Sequence, residues 1–128
     1  MNKLEYKIMS IQEAQNQVKS VYEDKVASIN GTDYEFSAFT HTERKKVFAF
    51  MSSIVNPNDG TFRMDFWDEP RFNEVEQLIN SKVMVDGIQI SKKHGFWDND
   101  EYAGDYIAFM MLAMQVISYP FTRGGLGS

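Results

Sequence analysis

Two histidines, a cluster of three carboxylates and one Asp-Asn-Asp run are the residues of this sequence that could carry chemistry. His41 and His94 lie far apart, and neither falls in an HExxH or comparable spacing, so both read as surface residues rather than metal ligands. Asp65, Asp68 and Glu69 could pair for proton transfer, but nothing fixes their spacing, and acid–base work needs fixed geometry. Asp98-Asn99-Asp100 has the opening of a calcium loop. Tyr102 then stands where an oxygen ligand is needed, and Phe109 stands at the closing Glu position. A helix cap is the better reading.

Other chemistries are excluded by type or by context. Cysteine is absent, which removes disulfides, thiolate zinc sites and cysteine nucleophiles. There is no G-x-S-x-G, Walker A or dinucleotide fingerprint, and Gly124-Gly125 precedes no helix that could receive a phosphate. The chain is therefore expected not to be an enzyme: no catalytic residue, no metal and no cofactor.

What remains is a binding chemistry, and composition bounds its partners. With 13 basic and 18 acidic residues the net charge is −5, which argues against a nucleic-acid binder and permits an acidic inhibitor. At 128 residues, 43% hydrophobic and 24% charged, the sequence reads as one domain with a real core, over residues 1–123, and a flexible tail at 124–128. Ten Phe and eight Met suit an irregular core or an adaptable binding face. The first residues, MNKLEYKIMS, lack an apolar signal region, so a cytoplasmic protein is expected.

The elements that would position a binding face follow from periodicity. Residues 100–118, DEYAGDYIAFMMLAMQVIS, are apolar nearly all round between 106 and 117 and predict a buried C-terminal helix. It is capped by Asp98, Asn99 or Asp100, carries Asp100, Glu101 and Asp105 near its start, and is stopped by Pro120. Its apolar run is too short for a bilayer, which needs about 20 residues. Residues 3–9 predict an edge strand or loose arm. Ser10 to Glu13 has capping-box spacing and opens a helix to about Ala27, with apolar Ile11, Ala14, Val18, Val21, Tyr22 and Val26. Asn30-Gly31 ends that unit with a turn.

Residues 33–39 predict a strand packing Tyr34 and Phe36. Thr40 to Glu43 is a second capping box, opening a helix with Val47, Phe48, Phe50, Met51 and Ile54; its charged first turn, Glu43 to Lys46, reads as solvated. After the loop Asn56-Pro57-Asn58-Asp59-Gly60, residues 61–67 predict a strand with Phe62, Met64 and Phe66 on one face. Pro70 then starts a helix to about Asn80, packing Phe72, Val75, Leu78 and Ile79. Asp86-Gly87 between alternating runs predicts a two-residue hairpin, and residues 92–99 a loop. The expected fold is α+β: a single small domain with three to four helices, a small antiparallel sheet or hairpin and the buried C-terminal helix.

Phe96, Trp97, Tyr119 and Phe121 bracket that last helix with large aromatics. They can close the core at its two ends or line a partner groove, since aromatic side chains dominate binding hot spots. Met110, Met111 and Met114 join the second reading only if one side of the helix is open; otherwise they are core.

From Glu35 onward the order of features resembles the small tail assembly chaperones of long-tailed bacteriophages, the group that includes the lambda G protein. The resemblance rests on EFSAFTHTERKKVFAF and on FNEVEQLINSKVMVDGIQISKKHGFWDNDEYAGDYIAFMMLAMQVISYPF. These read as a Phe-containing strand, an Arg/Lys-rich helix start, a second helix, a hairpin and a final helix ending in ISYPF. The resemblance covers about two-thirds of the chain, by pattern more than by any invariant motif, and the helix at 10–27 has no counterpart in it. It implies a protein of the bacterial host's cytoplasm that binds the tape-measure protein and keeps it soluble until tail-tube subunits assemble around it. Partners would then be the tape-measure and tail-tube proteins, with no nucleic acid and no membrane; homo-oligomerisation is left open. The glycine codons of GGLGS would suit the ribosomal frameshift common in such genes, although an ordinary tail explains the same residues. The competing readings are an acidic inhibitor or immunity protein against a toxin or nuclease, and a minor tail or baseplate component. The first draws on the net charge and on acidic Asp98, Asp100, Glu101 and Asp105.

Overall fold

The computed structural model describes residues 11–56 and 58–123. The expected arm at 3–9, the Ser10 cap and the tail at 124–128 lie outside them. Helix α1 (Ile11–Asp24) leads into strands β1 (Val26–Ile29) and β2 (Thr32–Phe36), followed by α2 (His41–Ile54) and α3 (Pro70–Lys82). Strands β3 (Val83–Val85) and β4 (Ile88–Gln89), two 3-10 turns, the single-turn α4 (Asp100–Ala103) and α5 (Tyr106–Thr122) complete the chain. The four strands form one antiparallel sheet in the order β1-β2-β3-β4. The fold is α+β, as expected. Helix α5 packs against α1 and α2, and α3 packs against α2. Fully buried Tyr34, Phe50, Phe66, Phe72, Phe109, Met110 and Met114 fill the space between helices and sheet.

Two turn motifs act as their residue types require. Asp86 (φ 54) and Gly87 (φ 77) are both left-handed and join Val85 to Ile88 in the expected two-residue hairpin. Thr40 caps α2 as a capping box: Glu43 N–H donates to Thr40 Oγ1 at 3.1 Å, and Thr40 N–H donates to Glu43 Oε1 at 2.8 Å. The Thr40 amide, with help from Lys82, holds the Glu43 carboxyl below its ordinary range. Its contribution is complete above the unfolded value near 4.3 and fades as pH falls through the lower folded value. Thr40→Ala is expected to cost about 1 kcal/mol in urea unfolding, whereas Thr40→Ser should be close to neutral.

Five expectations need correction. Helix α1 ends at Asp24 instead of Ala27, because Lys25 turns left-handed (φ 63) and Val26–Ile29 pair with β2. Asn30 (φ 49) and Gly31 (φ 83) are the two loop residues of this hairpin, so the Asn-Gly pair does more than stop a helix. Residues 61–67 form no strand beyond one bridge, Val55 to Phe62. Asp59 accepts from the Thr61 amide and hydroxyl, Arg63 pairs with Asp65 and Glu69, and the segment curls; Phe66 is buried while Met64 is 50% exposed.

The last helix is interrupted at Gly104 and Asp105, and Asn99 caps only the short α4, accepting from the Glu101 amide. Pro120 lies inside α5 and does not stop it. In the last turn its missing N–H forfeits one intrahelical bond, and the nearby carbonyl of Ile117 accepts from Arg44 Nη1 at 2.8 Å.

One group in this core lacks a partner. The Ser118 hydroxyl is fully buried on α5 and, among the described residues, makes no hydrogen bond. An unsatisfied buried hydroxyl is destabilising by about 1 kcal/mol or more. Ser118→Ala is therefore expected to raise the urea midpoint at unchanged slope.

Candidate functional site

The structure separates the four bracketing aromatics into two pairs at opposite ends of α5. Left-handed Gly95 (φ 65) leads into the 3-10 turn Phe96–Asp98, which folds Phe96 inward until it is 6% exposed. Phe96 stacks on Tyr102 with centroids 4.3 Å apart and meets Tyr34 edge-on at 6.4 Å. Trp97 is half-buried against Tyr106 and Phe109, and its indole N–H donates to Asn80 Oδ1 at 3.3 Å. Phe96 belongs to the core where α5 begins, and Trp97 packs partly buried against it, as Tyr119 does at the other end. Met110 and Met114 are fully buried, and Met111 is half-buried against the same core.

Tyr119 and Phe121 sit ten or more residues further along α5, roughly 15 Å at 1.5 Å per residue. Each is half-buried. Tyr119 lies 5.0 Å from Tyr22 of α1, and Phe121 meets Phe48 at 5.4 Å and His41 at 5.8 Å, both edge-on. This is the C-terminal end of the helix. A cleft of about 90 Å³ lies beside it, between the end of α1, the segment after β2, the start of α2 and the end of α5. Its walls include Val21, Tyr22, Lys25, Phe36, Arg44 and Ile117. Small-molecule sites span about 300–1,000 Å³, so this cleft suits a side chain of another protein better than a metabolite.

Local structure accounts for the polar groups of the cleft. The left-handed turn at Lys25 that ends α1 carries its ammonium over the Tyr22 ring, 5.7 Å from the centroid. The Thr40 cap starts α2 so that Arg44, one turn in, faces the same ring at 5.8 Å while donating to Ile117 O. Sequence reasoning missed both cations, Arg44 because a charged first turn is usually a solvated face and Lys25 because the helix was expected to run past it.

At the opposite end, Asp105 is the one carboxyl among the described residues that is buried. It accepts from Tyr34 Oη at 2.8 Å and from Asn30 Nδ2 at 2.6 Å, tying α5 to β2 and to the turn of the first hairpin. Burial, and next the Asp105 contact, push the Tyr34 phenol well above its ordinary value. Tyr106 donates to Glu76 and is raised in the same way, burial first. These groups are bonded to one another among the described residues, so they read as structural.

A shallower hollow of about 350 Å³ at the end of α2 is lined by Ile54, Val55, Phe62 and Arg63 among others. Its single ionisable group, Arg63, is already paired with Asp65 at 2.5 Å and with Glu69 at 3.0 Å. Of the three carboxylates of this region, Asp65 and Glu69 meet on Arg63, and Asp68 is exposed. His41 and His94 are exposed and on separate elements. Among the described residues no group of three or more metal-ligating side chains comes together. No helix there is long and apolar enough to cross a membrane.

Compared with protein-family models, with curated proteins and with solved structures, the chain matches none.

Proposed function

We propose that this chain is a tail assembly chaperone of a long-tailed bacteriophage, a non-enzymatic adaptor that covers apolar helical stripes of the tape-measure protein in the host cytoplasm. The observation that carries the reading is the aromatic C-terminal part of α5. Tyr119 and Phe121, within the ISYPF segment of the resemblance, are half-buried; Tyr119 packs on Tyr22, a wall of the cleft, and Phe121 packs on Phe48 and His41. Aromatics with one face packed and the other available are efficient anchors, because little side-chain entropy is left to lose on binding. The two stretches that carry the resemblance also pack on each other, α2 against α5 and β2 against β3, so they form one unit. Helix α1, outside the resemblance, supplies one wall of the cleft through Val21, Tyr22 and Lys25.

A tape-measure chain presents repeated apolar stripes, so many weak sites on one partner would gain through avidity. Apolar contacts dominate such binding, so it should weaken only modestly with salt. The inhibitor reading loses part of its support, because Asp105 is buried and bonded, leaving Asp98, Asp100 and Glu101 as the exposed acids of that region. The test is a tagged pull-down from native host lysate at low and high salt, with partners identified by mass spectrometry. A long helix-rich tail protein retained at high salt supports the proposal. A basic toxin or nuclease released by salt would replace it with the inhibitor, and recovery of baseplate subunits alone with a virion part.

A further inference from the structure

The cleft beside α5 holds a charge arrangement at odds with the rest of the molecule. The protein carries a net charge of −5, yet Lys25 and Arg44 approach one tyrosine ring, Tyr22, at 5.7 and 5.8 Å, and both line the same cleft. Among the described residues neither forms an ion pair, whereas Lys46, Arg63 and Lys82 all do. The carbonyl ends of α1 and α5 lie close by and favour cations, which accounts for the one Arg44 donor spent on Ile117 O. A guanidinium has five N–H donors, and among the described residues Ile117 O is the one acceptor that Arg44 meets. Lys25 holds a left-handed backbone (φ 63) that glycine adopts at less cost, and its side chain is what occupies the mouth of the cleft.

From this geometry we infer that the cleft is a carboxylate-binding subsite, and that its occupant is a partner segment bearing one Asp or Glu flanked by apolar residues. Charge complementarity selects the acid: its carboxylate meets the Arg44 fork and the Lys25 ammonium over the Tyr22 face. The flanking apolar side chains meet Tyr119 and Val21 at the rim and wall. The small volume, about 90 Å³, suits a single side chain better than a whole segment. This deepens the tail-assembly proposal by naming what the cleft recognises, and it rests on the cleft being a partner-binding face.

The experiment uses a defined probe in place of the partner. Isotope-labelled protein is titrated with acetyl-Ala-Leu-Glu-Leu-Ala-amide and, separately, with the same peptide carrying Gln for Glu, while Arg44 side-chain and Tyr22 ring signals are followed by NMR. The Glu peptide is expected to shift those signals and to bind at least tenfold more tightly than the Gln peptide. Lys25→Gly suits the left-handed turn, so it should fold as well as the parent yet bind the Glu peptide at least threefold more weakly. Arg44→Lys should also weaken it, because the charge stays and the fork is lost. Equal affinity for the two peptides, shifts confined to other parts of the surface, or unchanged binding by Lys25→Gly would each overturn the inference. Dimerisation of the free protein that Lys25→Gly abolishes would overturn it too, by making a second copy the occupant. Failure here with a tape-measure protein still captured from lysate would remove only the carboxylate subsite; the reverse pattern would remove the tail-assembly proposal.

Discussion

Asp105→Ala is expected to destabilise the protein by about 3 kcal/mol or more, the largest effect of any single polar substitution among the described residues. The change strands the Tyr34 hydroxyl, which is 0% exposed and donates to Asp105 at 2.8 Å, and it frees the Asn30 side chain at the hairpin turn. Leaving a buried donor unsatisfied costs about 1–3 kcal/mol, and each hydrogen bond to a charged group is worth about 1.5–3 kcal/mol. For a domain of this size each kcal/mol corresponds to roughly 4 °C, so the melting temperature should fall by 10 °C or more. Asp105→Asn keeps one acceptor oxygen, and the exposed Asn30 amide can turn to meet the new NH₂, so its cost should be near 1 kcal/mol. Urea unfolding of both variants beside Tyr34→Phe separates these terms. Additive losses for Asp105→Ala and Tyr34→Phe would mean that the two groups do not act as a pair.

Raising the pH past 10 is expected to be the second large perturbation. Tyr34 and Tyr106 are both pushed above the ordinary phenol value, first by burial and then by their carboxyl partners Asp105 and Glu76. A raised folded-state value means that the unfolded chain loses its protons first. The contribution is therefore intact below the unfolded value near 10 and is lost as pH climbs toward the folded values. In that window Tyr34 should remove up to about 1.4 kcal/mol per pH unit, and Tyr106 less, because it is partly exposed and screened. Denaturant unfolding at pH 9, 10.5 and 11.5 reads the slope, and Tyr34→Phe should flatten it markedly. A slope unchanged by that substitution would assign the alkaline loss to other groups, such as lysines.

The parts of this fold that were legible in the sequence are those whose physics is local. Thr40 and Glu43 announce a helix start because the reciprocal bonds need only that spacing, and both bonds form. Asp86-Gly87 announces a hairpin because the turn needs two left-handed residues in a row. Asn30-Gly31 carries the same signal, but the helical spacing of Val18, Val21, Tyr22 and Val26 continued up to it and masked the short β1. Phe62, Met64 and Phe66 alternate as a strand would, yet the ladder has no place for them: the curl set by Asp59 and Arg63 leaves one bridge.

The candidate site was harder to read because its contacts are long-range. Tyr119 and Phe121 could be named from size and position alone. Arg44 meets Ile117 across 73 residues, and Asp105 meets Tyr34 across 71, and no periodicity encodes such pairings. Phe96 and Trp97 carry the same residue types as binding anchors. The turn at Gly95 buries Phe96 in the core, whereas Trp97, like Tyr119, is half-buried and packed against it.

The tail-assembly proposal requires that the aromatic C-terminal part of α5 keep an aggregation-prone helical tail protein in solution. The measurement that tests it most directly is co-expression of the tape-measure protein captured from lysate, with and without this chain, followed by the soluble fraction of each. The account predicts that the tape-measure protein is insoluble alone, becomes soluble with the parent chain, and returns to the pellet when Tyr119 and Phe121 are both replaced by serine in a chain whose own fold is retained. A tape-measure protein equally soluble with and without the chain, or rescued as well by the doubly substituted protein, would contradict it.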